Sequence, residues 1–100
     1  MVEIKITYDG DLHCTAEHGP SGKTLWTDAP VDNMGKGESF SPTDLAATAL
    51  GTCYLTVMGI AAKKDKVNID GTKARVEKHM STEKPRRISK LVVDIDMASW

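Results

Sequence analysis

Hydrophobic and polar positions alternate three times within the first 27 residues, then give way to one long apolar run. In Val2 to Tyr8, Val2, Ile4 and Ile6 share one side and Glu3, Lys5 and Thr7 the other, which is the period of a half-buried strand. Asp9-Gly10-Asp11 predicts a hairpin turn, because glycine takes a positive φ without strain. Leu12 to Glu17 predicts the returning strand, with Leu12, Cys14 and Ala16 on one face and His13, Thr15 and Glu17 on the other. Gly19-Pro20-Ser21-Gly22 breaks it, and Lys23 to Thr27 predicts a third short strand. Asp28 to Ser39 has no period and is rich in Asp, Pro, Asn and Gly. A loop of that length in a small domain is usually functional or an interface.

The apolar run predicts a helix over residues 42–63. Ser41 is a good N-cap, Pro42 suits the first helical position, and Asp44 stands where a capping box has its acid. Lys63 and Lys64 lie in the last turn, where cations complement the helix dipole. The run is rich in Ala, Gly and Thr. Small side chains let a neighbouring backbone come close, so the expectation is a central helix packed on several sides. Beyond it, Val67 to Asp70 predicts the start of a strand and Asp70-Gly71 a bend or bulge. Thr72 to Met80 alternates, with Ala74, Val76 and Met80 inward; Ser81 to Arg87 is a polar turn. Ile88 to Met97 alternates again, with Leu91, Val93, Ile95 and Met97 facing away from Asp94 and Asp96. Three strands, a long helix and two strands make an α+β chain with a mostly antiparallel sheet covering the helix.

Composition narrows the function classes. At 100 residues the chain predicts a single domain, 1–100, with a modest core that a partner subunit would help to complete. The formal net charge is −1, with 13 basic and 14 acidic residues interspersed, which argues against nucleic acid as a partner. The charged, alternating N-terminus is not a signal peptide. Two cysteines without such a signal predict reduced thiols and a cytoplasmic location. Asp44, the threonines at 48, 52 and 56 and the glycines at 51 and 59 make the helix too polar and too small for lipid, so no membrane is expected.

The chemistry centres on Cys53. At 100° per residue Ala46, Ala49, Leu50, Val57 and Ile60 share its face, and Asp44, Thr48, Thr52 and Thr56 step round on a more polar one. This predicts a thiol on the packed side, away from bulk water. Two readings stay open: a small apolar filler, as buried free cysteine usually is, or a nucleophile, which must be a thiolate. Cys53 is about three turns into the helix and the dipole acts only within the first, so donors from another element would have to hold the thiolate. Cys14 and His18, four apart on a strand, share a face but lie about 13 Å apart along it. A zinc site would need ligands assembled from separated elements, and the local spacing predicts no metal and no cofactor. Gly35 and Gly37 before a helix suggest an anion cradle, which Glu38 and Asp44 oppose. Trp26, Tyr54 and Trp100 are too few and too scattered to stack bases.

The segments HGPSGKTLWTDAP and GKGESFSPTDLAATALGTCYLTVMGIAAKK, followed by VNIDGTKARVEKHM and PRRISKLVVDID, resemble the OsmC/Ohr family of osmotically inducible protein C-like redox proteins. The resemblance covers essentially the whole chain. It implies an intertwined homodimer, with two sheets around central helices and active sites at the subunit interface. It implies that Cys53 is the catalytic cysteine, attacking an organic hydroperoxide in oxidative or osmotic stress defence. It also implies a second, resolving cysteine on a later helix and a thiol or dithiol reductant. That later helix would follow residue 100, so a C-terminal truncation is expected. Thr43 stands where peroxidatic members carry a glutamate. No arginine precedes Arg75, and His18 or Lys23 lies roughly where the family's thiolate-stabilising arginine would be. The supporting or resolving candidates are therefore Cys14, His18 and Thr43. The competing expectation is a non-catalytic dimeric module that binds a small ligand, with Cys53 as packing.

Overall fold

Among the described residues, five strands and one long helix follow the predicted order. They are β1 (Ile4–Gly10), β2 (His13–His18), β3 (Thr24–Asp28), α1 (Pro42–Lys64), β4 (Lys73–Met80) and β5 (Ile88–Asp96), with one 3-10 turn at Val31–Asn33. The structure, a computed structural model, describes residues 1–98; Trp100, considered above for stacking, lies outside the described residues. The strands form two antiparallel sheets, β1-β2-β3 and β4-β5, where the alternation alone suggested one covering sheet. The chain divides into two units, Met1–Leu45 and a second beginning at Ala46.

In the first unit the register pairs Ile6 with Ala16 and Ala16 with Leu25, and likewise Tyr8, Cys14 and Thr27. This puts Ile4, Ile6, Tyr8, Cys14, Ala16 and Leu25 on one sheet face. The opposite face carries His13, Thr15, Trp26 and Asp28. The hairpin turns later than expected. β1 runs on through Gly10 with a register shift after Tyr8, and the two residues between the strands, Asp11 and Leu12, both have positive φ (53° and 64°). Positive φ at both positions is what a two-residue type I′ turn requires. Leu12 is therefore a turn residue, not a member of the β2 face.

The loop that follows is tied back onto the sheet. Asp28 N–H donates to the Phe40 carbonyl (3.1 Å), Ser39 Oγ to the Trp26 carbonyl (3.0 Å), and Lys36 Nζ reaches Asp11 (3.1 Å). Gly35 allows this path: a Cβ there would fall 1.7 Å from the Ala29 carbonyl oxygen. The Gly35 and Gly37 N–H groups donate to the Pro30 and Ala29 carbonyls (2.9 and 3.3 Å). They are engaged within the loop and are not turned outward as an anion cradle would need, a reading that Glu38 and Asp44 already opposed.

Helix α1 begins as its sequence dictates. Ser41 N–H donates to Asp44 Oδ2 (2.9 Å), and Asp44 N–H donates back to Ser41 Oγ (3.1 Å), a capping box closed by aspartate. The helix ends on a Schellman motif, with Val67 N–H bonded to the Ala62 carbonyl (2.8 Å) and Lys66 N–H to the Lys63 carbonyl (3.2 Å). The left-handed position there is Lys66 (φ 57°). Residues 67–70, expected to begin a strand, run irregularly into a turn at Asp70-Gly71 instead. Asn68 Oδ1 accepts from Asp70 N–H (2.7 Å) and the Ile69 carbonyl from Thr72 N–H (3.1 Å), local bonds that compete with strand pairing. In the second sheet Ala74–Ile95, Val76–Val93 and Lys78–Leu91 are cross-strand pairs, on the face where Ala74 and Val76 were predicted.

Little of this apolar surface is covered. Among the described residues Ala47 is the one buried apolar side chain, while Ile4, Ile6 and Tyr8 stay more than half exposed.

Candidate functional site

Two rows of apolar residues run along α1. Ala47 and Gly51 are buried, and Leu55, Met58 and Ala62 continue their row half-buried. A Cβ on Gly51 would sit 2.8 Å from Val76 Cγ2, so this row faces β4 at close approach. The second row is Ala46, Ala49, Cys53, Val57 and Ile60, all exposed; Val57 keeps 58% and Ile60 56% of its surface. Of the residues expected around Cys53 all but Leu50, which is half-buried, lie on this exposed row, and the expected burial is not found: Cys53 is an exposed free thiol within an apolar strip. Gly51 has no side chain, which lets β4 come close at that turn of the helix, and Val57 and Ile60 are left outside.

No hydrogen bond to the Cys53 sulfur is present among the described residues. Arg75 alternates with Val76 and lies on the opposite face of its sheet, paired with Glu77 and, at 3.8 Å, with Asp94. Arg75 holds the Glu77 carboxyl below its usual range, helped by His79 (3.1 Å), and Glu77 in turn raises the Arg75 guanidinium further. Arg87 pairs with Glu83 (3.1 Å). Within the second unit these two arginines are therefore occupied by carboxylates. The supporting candidates all lie in the first unit. Cys14 is half-buried in β2 between Tyr8 and Thr27. His18 ends the same strand, its Nδ1 2.6 Å from Ser21 Oγ. Thr43 is half-buried in the first helical turn, its Oγ1 3.2 Å from Ser41 Oγ. Cys14 and His18 remain four residues apart on one strand, as their spacing predicts.

One group of polar side chains was not visible in the sequence. His13 opens β2, Asp28 closes β3 directly across from it, and Glu38 comes from the loop. His13 Nε2 lies 3.2 Å from Asp28 Oδ1 and 3.6 Å from Glu38 Oε1. Asp28 is 1% exposed. Its carboxyl is held below the usual range chiefly by the Glu38 N–H, which donates to Oδ2 (2.9 Å), with the His13 imidazole adding to this against the cost of burial. The one available sequence signal was the pairing of positions 13 and 28, and the misplaced turn obscured it.

A family model described as OsmC-like protein matches residues 35–99. Among solved structures, the chain is similar to a protein from Psychrobacter arcticus 273-4 described provisionally as an osmotic stress induced and detoxification response protein. The two are 48% identical with a TM-score of 0.94, over 100% of this chain and 72% of that chain. No curated protein matches the chain. By length and composition α1 is apolar enough to cross a membrane, where its threonines and glycines suggested that it was too polar; a mostly buried core helix of a soluble protein passes the same test.

Proposed function

The chain belongs to the OsmC-like family, and from that premise we propose that it is a thiol redox protein of stress defence in which Cys53 reduces organic hydroperoxides. The observation that carries the reading is the placement of Cys53: a free thiol midway along α1, open to an approaching molecule and set in an apolar strip suited to an alkyl hydroperoxide. The Cys53 thiolate attacks the outer oxygen of the peroxide. An S–O bond forms, the O–O bond breaks, and the leaving alkoxide takes a proton to become the alcohol. The sulfur is oxidised by two electrons to sulfenic acid. A second thiol then displaces water to form a disulfide, and a thiol or dithiol reductant restores both cysteines. Cys14 is the resolving candidate this chain carries.

The same strip supports a homodimer. Val57 and Ile60 leave more than half of their surface open on the Cys53 row, an apolar face that a partner subunit would cover. A partner surface would desolvate Cys53 and supply the donors that its own helix lacks. Reduced thiols fit a cytoplasmic setting.

The test is consumption of an organic hydroperoxide by wild type and Cys53→Ser, with a sulfenic-acid trap. Trapped Cys53 and loss of turnover in Cys53→Ser are expected; equal, slow consumption by both overturns the proposal. One observation favours a second reading, a non-catalytic module that binds a small apolar ligand: Thr43 offers a hydroxyl where peroxidatic relatives have a carboxylate. That reading predicts alkylation of Cys53 no faster at neutral pH than that of a free cysteine.

A further inference from the structure

We propose that His13, Asp28 and Glu38 form a binding site for a divalent transition-metal cation of the zinc class. Two inward-facing atoms carry the argument. His13 Nε2 and Asp28 Oδ1 are both buried, and among the described residues both lack a hydrogen-bond partner. They face each other at 3.2 Å without the alignment of an N–H···O bond. Buried polar atoms are normally satisfied. Two unsatisfied donor atoms converging on one point are instead what a cation needs.

The distances fit. With metal–ligand bonds of about 2.0–2.1 Å, the ligand atoms of a tetrahedral zinc site stand about 3.3 Å apart. The observed separations are 3.2 Å and 3.6 Å, and the ligand atoms of all three residues lie within 4.8 Å of one another. The carboxylate is already oriented: Asp28 Oδ2 accepts the Glu38 N–H (2.9 Å) and leaves Oδ1 free. This is how neighbouring bonds usually hold a metal ligand in place. The Trp26 ring meets the His13 ring edge-on at 5.3 Å and limits its rotation. Lys36, two residues before Glu38, is engaged with Asp11.

One imidazole and two carboxylates suit zinc and its neighbours; the imidazole disfavours calcium and magnesium, which take oxygen ligands. Three protein ligands leave a fourth tetrahedral position to water on the exposed Glu38 side. A bound cation would clamp β2, β3 and the loop together. The inference is independent of Cys53.

Both thiols bind zinc, so the test uses the tag-free full chain with Cys14→Ser, Cys53→Ser and Trp100→Phe. Zinc affinity is measured by competition with a chromogenic chelator, and Co²⁺ is titrated while Trp26 fluorescence is followed. One ion per chain is expected, with quenching of Trp26 at the same stoichiometry and a rise in melting temperature that EDTA reverses. His13→Gln and Asp28→Asn should each weaken binding at least tenfold, and Glu38→Gln several-fold. Glu38 is exposed, so that variant should keep its metal-free melt and test the ligand role even where Asp28→Asn unfolds. Failure to bind zinc at millimolar concentration overturns the proposal. So does binding that Glu38→Gln and His13→Gln both leave within twofold of the parent.

Discussion

Replacing Val57 and Ile60 together by lysine should leave the lone chain nearly unchanged and break the proposed homodimer. Both side chains lie on the Cys53 row, with 58% and 56% of their surface exposed. Full burial of such an aliphatic side chain contributes ~1.5–3 kcal/mol, so about half, or ~1 kcal/mol, remains to be gained at each position. In a symmetric pair two positions on each of two chains count, giving about 4 kcal/mol, roughly a thousandfold in Kd. Desolvating the introduced ammonium groups adds to the loss. Sedimentation equilibrium from nanomolar to high micromolar chain should give a dimer for wild type and a monomer for Val57→Lys/Ile60→Lys. Wild-type melting should depend on concentration and the variant's should not. The reasoning fails if wild type sediments as a monomer throughout, or if the double variant dimerises with wild-type affinity.

Other consequences follow from single features of the fold. Gly51→Val places a methyl-bearing carbon where Val76 already stands 2.8 Å away, and should cost ~1–3 kcal/mol in urea unfolding. Lys66→Gly relieves a left-handed residue at the helix end and should raise the urea midpoint by an amount worth roughly 0.5–1 kcal/mol. Ser41→Ala removes the oxygen that accepts Asp44 N–H and should cost about 1 kcal/mol in the same assay. Glu77 has its carboxyl held below 4.5, first by Arg75 and then by His79. The stability this lends is present above pH 4.5 and is lost as pH falls through the lower folded-state value. Wild type should therefore be more stable than Glu77→Gln at neutral pH and converge with it in acid, as urea midpoints across the range would record.

Local signals in the chain were enough to determine the elements. Alternation at Val2–Tyr8 and Ile88–Met97, and the Ser41-Pro42-Thr43-Asp44 start of α1, dictate strand and helix through side-chain period and capping, which depend on near neighbours alone. The row Ala46, Ala49, Cys53, Val57, Ile60 was legible for the same reason. Which row of the helix turns inward was not: two apolar rows coexist, and the approach of Val76 to Gly51 decides between them. Val67–Asp70 looked like a strand by composition, yet the Asn68 side chain and the Schellman end of α1 hold it irregular up to the turn at Asp70-Gly71. The hairpin defeated the reading by two residues: Gly10 takes the positive φ expected of it, but within β1, and Asp11 and Leu12, also at positive φ, make the turn. That shift moves Leu12 off the strand face and sets His13 opposite Asp28. The gathering of His13, Asp28 and Glu38 rests on strand register and on a loop path through Gly35, and neither is a property of any short stretch of chain. Period and caps are written locally; register and close approach exist only once distant segments have met.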